Sequence, residues 1–129
     1  ALLGHHYYID GTVVRGDGRG RQLGYPTANL RTENELIPAE GIYATEVLID
    51  GRWLKAATSI GVRPTIGDGR FTIEAYILDT DMDLYDRHLR LAFVSRLRPE
   101  RRFDSLDELV AAIGEDVTRV RSLFEAMAV

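Results

Sequence analysis

The stretch GDGRGRQLGYPTANL, residues 16–30, holds four glycines in nine positions, with Arg19 and Arg21 between them and Thr27 and Asn29 just beyond. Glycines without a Cβ let several backbone amides converge on an anion, and the arginines add charge. If residues 27–30 are extended, period 2 sets Thr27 and Asn29 on one face and turns Ala28 and Leu30 to the core. A hydroxyl and an amide oxygen side by side are hard ligands. They suit a magnesium ion that keeps several waters and takes its charge balance from phosphates. The same residue types are common in turns, so a turn followed by a polar strand edge is the ordinary alternative.

Two familiar phosphate-binding patterns are excluded. No Gly-x4-Gly-Lys-Ser/Thr run exists in the chain. A dinucleotide fingerprint counted from Gly16 or Gly18 ends on Arg21 or Leu23 where glycine is required, and Pro26 obstructs a helix across the loop's end.

The elements that must position these residues read mostly as strands. Tyr8–Val14 is rich in β-branched and aromatic residues. Residues 41–49 and 52–60 flank Asp50-Gly51, a strong hairpin signal because both central positions of a type I′ turn need positive φ. On the first of these strands Tyr43, Thr45, Val47 and Ile49 share one face, and Ile42, Ala44 and Leu48 the other. Residues 71–78 and 89–95 are further strand candidates, with an acidic loop at 79–83. The period then changes: Leu106, Leu109, Val110, Ile113, Val117, Val120 and Phe124 form one apolar stripe at helical spacing. Ser105 with Glu108 fits a capping box, and Gly114 costs the helix about 1 kcal/mol relative to alanine. Strands at regular spacing followed by one long helix predict an antiparallel barrel with a helix packed on it.

Composition narrows the class. A chain of 129 residues, 45% hydrophobic and 28% charged, can build a globular core. Its net charge of −4 argues against a dedicated nucleic-acid binder, since the arginines at 15–21 and 96–102 are local clusters and not a general surplus. No run approaches the about 18 apolar residues of a spanning helix, so no membrane role is expected. The absence of cysteine excludes disulfides and thiolate zinc sites and fits a cytoplasmic setting.

The ordered motifs are similar to those of the riboflavin kinase domain family. The likeness begins with GTVVRGDGRGRQLGYPTANL and continues through Glu40-Gly41-Ile42-Tyr43, Ser59 to Thr65, Ile73-Glu74 and Asp83-Leu84-Tyr85. It ends with Leu97 to Glu100 and Phe103-Asp104-Ser105 entering the helix. The resemblance implies a six-stranded Greek-key barrel carrying a C-terminal helix. It also implies transfer of the ATP γ-phosphate to the ribityl 5′-hydroxyl of riboflavin, giving FMN and ADP. Residues 1–129 then form a single kinase domain, and Leu2-Leu3-Gly4 resembles the join after the FAD synthetase (adenylyltransferase) half of bifunctional bacterial proteins.

By the same resemblance, Thr27 and Asn29 hold magnesium and phosphates, and Gly16 and Arg21 lie against the nucleotide. Glu74 matches the catalytic glutamate that accepts the hydroxyl's proton. Taken alone it would read as an outward residue on a half-buried strand. Ile77, Asp79 and Tyr85 correspond to positions near ATP, and Arg98, Arg101 and Ser105 to flavin contacts. Their ordinary alternatives are a core isoleucine, a solvated aspartate, a packed tyrosine, surface arginines and a helix cap.

Three departures stand out. Tyr76 replaces a histidine frequent in the family, Asp86 a glycine, and His5-His6 an Arg-Pro pair. They favour, as a rival, a non-catalytic barrel module that binds flavin or nucleotide. An RNA-binding barrel would need a basic face, which the acidic balance opposes.

Overall fold

A computed structural model of the chain describes residues 7–14, 27–33, 36–62, 71–80 and 84–127. The expectations for Gly16, Arg21, His5 and His6 lie outside the described residues.

The strands are β1 (Tyr7–Val14), β2 (Ala28–Thr32), β3 (Gly41–Ile49), β4 (Arg52–Val62), β5 (Phe71–Ile77) and β6 (His88–Arg98), followed by helix α1 (Leu106–Met127). They close in the order β1-β2-β5-β4-β3-β6, with every neighbour antiparallel. Closure leaves no unpaired sheet edge. The run β6-β3-β4-β5 is a Greek key, three consecutive strands with the fourth returning beside the first.

Local chemistry accounts for the register. Asp50 and Gly51 take φ of +51° and +76°, as a type I′ turn demands, and the hairpin zips from Ile49↔Arg52 to Gly41↔Ile60. Alternation then sends Tyr43, Val47 and Ile49 into the barrel, where Ile9, Ile60, Leu91 and Phe93 meet them. Tyr43 and Phe93 pack edge to face, with centroids 5.1 Å apart. Each such side chain contributes about 1.5–3 kcal/mol by leaving water. Thr45 and Thr58 are also fully buried, and their hydroxyls satisfy one another at 2.8 Å. Gly11 lets β1 and β2 approach: a Cβ there would stand 2.5 Å from the Arg31 carbonyl oxygen.

Two elements depart from the sequence reading. Strand β6 runs to Arg98 and not only to residue 95, because register shifts against β3 at Ile42/Tyr43 and Ala44/Thr45 carry Arg96 and Arg98 within the ladder. The second concerns the helix stripe, which is not buried as one face. Ala112, Asp116, Val120 and Phe124 are buried, at four-residue spacing. Val120 and Phe124 pack on Ala44, Ala57 and Leu78, with Tyr76, Val94 and Leu97 around them. Leu106 is 56% exposed, and Leu109 and Ile113 line a cleft. The C-terminal half of the apolar face is spent on the barrel and the N-terminal half walls an open site.

Candidate functional site

The site starts from the pleat of β5. Ile73, Ala75 and Ile77 point into the barrel core, so Thr72, Glu74 and Tyr76 point outward. Glu74 stands directly opposite Asn29 on β2 and directly opposite Ser59 on β4. Opposed residues of antiparallel strands project to the same side with Cα atoms about 4.5–5.5 Å apart. Asn29, Glu74 and Ser59 therefore form one polar row across three strands. Leu30 lies in the core and Ala28 packs against it, which leaves Thr27 and Asn29 half-buried on the outer face.

Residues 98–105 and the first turns of α1 rise beside this row and enclose a cleft of about 700 Å³. Thr27, Glu74, Arg98, Arg101 and Ser105 line it, together with Ser59, Glu100 and Phe103. Five residues singled out in the sequence are thus brought together from three separate stretches of chain.

Each has a defined setting. The Arg98 guanidinium donates to both oxygens of Asp116, at 2.9 and 2.7 Å, and to the Pro99 carbonyl at 3.2 Å. These bonds with the carboxylate hold Arg98 firmly in its charged form. Arg98 and Arg101 both approach the Phe103 ring, 5.9 and 4.9 Å from its centroid, which stiffens the segment by cation–π contact. The Ser105 hydroxyl accepts the Glu108 amide at 3.2 Å and caps the helix. The Glu108 carboxylate accepts the Asp104 amide at 3.1 Å, one residue earlier than a standard capping box would have it.

Glu100, to which the sequence assigned no role, sits half-buried in the cleft and accepts a hydrogen bond from Ser59. Burial pushes its carboxyl above the ordinary carboxylate range, outweighing the Ser59 bond and the nearby Arg98 charge.

Four expected nucleotide-side residues do not line the cleft. Asn29 stands beside its wall, opposite Glu74. Ile77 is 5% exposed and faces the barrel core, so only its backbone is presented outward. Asp79 makes two 2.9 Å bonds to Arg121 on the helix, which pull its carboxyl below the usual range. Tyr85 is exposed on a tight turn closed by Arg87 N–H to the Leu84 carbonyl at 2.9 Å. Asp86, in that turn, takes φ of +67°. Aspartate therefore adopts the left-handed conformation that glycine takes most easily. Tyr76 shares the outward face of β5 with Glu74, lines the cleft and packs against the helix cluster.

The donor set fits a hard cation that brings phosphate with it. Thr27 and Asn29 are neutral oxygen donors, and no group of three or more His, Asp or Glu gathers among the described residues.

A family model described as "Flavokinase: Riboflavin kinase" matches residues 3–124. The bifunctional riboflavin kinase/FMN adenylyltransferase of Escherichia coli (strain K12) is 43% identical over 125 residues, which cover 96% of this chain and 40% of that protein. Among solved structures, a protein described as a macrolide-efflux protein from Streptococcus pneumoniae superposes with a TM-score of 0.87 at 35% identity, over 93% of this chain and 40% of that one. Riboflavin kinase from Trypanosoma brucei superposes with a TM-score of 0.66 over 95% of this chain and 82% of that one; at 24% identity the likeness is one of fold.

Proposed function

The chain belongs to the riboflavin kinase family, and from that membership we propose that it transfers the γ-phosphate of ATP to the ribityl 5′-hydroxyl of riboflavin, releasing FMN and ADP. The observation that carries the proposal is the row Asn29-Glu74-Ser59, of which Glu74 and Ser59 line a cleft of about 700 Å³. A carboxylate here has a nucleotide-side donor pair to one side and the 98–105 segment to the other.

Phosphoryl transfer passes through a loose transition state, so catalysis rests on positioning and charge stabilisation. Glu74 accepts the hydroxyl's proton as the new P–O bond forms, and its fixed place on β5 supplies most of the benefit. Thr27 and Asn29 hold magnesium, which when bound neutralises and orients the ATP phosphates. Family resemblance assigns Gly16 and Arg21, outside the described residues, to nucleotide contact, together with Ile77, Asp79 and Tyr85. Arg101 and Ser105 meet the flavin, and Arg98 supports them through Asp116.

The chain spans 40% of the length of the E. coli relative. We read residues 1–129 as the kinase domain of a protein that also carries an adenylyltransferase domain, working in the cytoplasm where ATP is supplied. The rival, a barrel that binds without turnover, drew on Tyr76, Asp86 and His5-His6, of which the last pair lies outside the described residues. The left-handed turn at Asp86 and the packing of Tyr76 weaken it, since neither disturbs Glu74. An efflux role has no favouring observation: the barrel interior is filled with aliphatic and aromatic side chains, and among the described residues no helix is long and apolar enough to cross a membrane.

Incubation with riboflavin, ATP and magnesium, followed by chromatography, tests the proposal. FMN appearing in step with ADP supports it; bound riboflavin with no FMN sustains the binding-module rival.

A further inference from the structure

Glu100 is the one carboxylate on the 98–105 segment that lies in the cleft half-buried and bonded to the barrel wall. Its partner is Ser59, and Ser59 stands directly opposite Glu74. Glu74, Ser59 and Glu100 thus step from β5 across β4 to the segment that carries Arg101. That is also the direction from the reacting hydroxyl toward the flavin ring under the function proposed above, on which this inference rests. Neighbouring strands are about 4.8 Å apart. A polyol chain whose terminal hydroxyl meets Glu74 therefore brings its secondary hydroxyls past Ser59 and Glu100 on the way to the ring.

The chemistry of the pair suits that task. Ser59 donates to Glu100 Oε1, and Oε2 accepts no hydrogen bond among the described residues. An ionised carboxylate is an acceptor only, so Oε2 can take a proton from a hydroxyl but has nothing to offer a carbonyl oxygen of the flavin ring. A structural role alone gives little reason for a carboxyl here, because burial disfavours its charged form and a neutral amide would bond Ser59 as well.

We propose that Glu100, held by Ser59, accepts a hydrogen bond from a secondary hydroxyl of the ribityl chain and so selects polyol-bearing flavins over the bare ring. It is a specificity-determining residue, distinct from the base Glu74, and takes no part in proton transfer to the reacting oxygen.

Fluorescence titration with riboflavin and with lumiflavin, which carries a methyl group in place of the ribityl chain, tests this. Glu100→Ala should weaken riboflavin binding on the order of tenfold or more, the scale of a lost hydrogen bond to a charged group, and leave lumiflavin binding unchanged. Equal weakening of both ligands would mean that Glu100 only holds the segment in place, and no change in either would remove it from recognition; both results overturn the proposal. Melting curves check that the variant is folded. If it is not, Glu100→Asp keeps the charge and withdraws the oxygens, and should show the same selective loss. A parental protein that binds riboflavin no better than lumiflavin also overturns it, whereas failure of that protein to form FMN strikes the kinase reading itself.

Discussion

Arg98 and Asp116 face one another through two parallel hydrogen bonds, with side chains only 17% and 6% exposed. The pair ties the end of β6 to the middle of α1 and so fixes the spacing of the cleft's two walls. Removing either partner leaves the other charge largely buried, at a cost of about 3 kcal/mol. Asp116→Ala and Arg98→Ala should each lower stability by that order in urea unfolding. The double variant Arg98→Met/Asp116→Leu should recover much of it, and additive losses in the double-mutant cycle would deny the coupling.

Asn29 lies opposite Glu74 and half-buried on the outer face of β2. Asn29→Ala should weaken MgATP binding and turnover on the order of ten- to hundredfold, as for a lost bond to a charged group, with an unchanged melting temperature. Calorimetric titration with MgATP checks it, and undiminished affinity in a folded variant would take Asn29 out of the site.

Arg101 is exposed beside Phe103 and lines the cleft without an ion-pair partner among the described residues. Arg101→Ala should raise the riboflavin KM and leave the ATP KM near its parental value. It separates flavin contact from scaffolding more cleanly than Arg98→Ala does, because Arg98 is committed to Asp116. A defect seen only when ATP is varied would reverse this division of the site.

Stability should also carry a pH signature. Burial holds the Glu100 carboxyl above its ordinary value of 4.5, so the folded chain binds that proton more tightly than the unfolded chain does. The stabilisation this gives is complete below the unfolded pKa and is lost as pH rises through the raised folded value. Glu100→Gln, always neutral, escapes the loss. Its melting temperature should exceed the parent's near pH 8 and converge with it below about pH 4. A variant less stable than the parent at pH 8 would mean that the attraction of Arg98 and the Ser59 bond outweigh burial.

Much of the fold was legible because its signals are local. Asp50-Gly51 announces a type I′ hairpin and thereby the whole β3–β4 register, down to Ile42 opposite Ser59. The 27–30 alternation placed Leu30 inward by period alone. What could not be read is set by non-local pairing. The opposition of Glu74 to Ser59 depends on how β5 docks on β4, and no nearby residue encodes it. Glu100 went unassigned for the same reason, since its partner is 41 positions away. Asp116 was missed because an apolar stripe is found by skipping charged residues, while this carboxylate is buried by virtue of Arg98. The exposure of Leu106 follows from the cleft, and a helix that covers a binding site looks in sequence like one that covers a core.

The most direct measurement of the central claim is single-turnover FMN formation by Glu74→Gln, run beside a melting curve of the same preparation. Glutamine is nearly isosteric and can still hydrogen-bond the ribityl hydroxyl, but it cannot usefully take its proton. The expected result is parental stability, both substrates bound, and phosphoryl transfer slowed by roughly 10²–10⁴-fold, the usual scale for a general base. A folded Glu74→Gln protein that forms FMN at the parental rate would contradict the assignment of Glu74 as the base on which the proposed reaction depends.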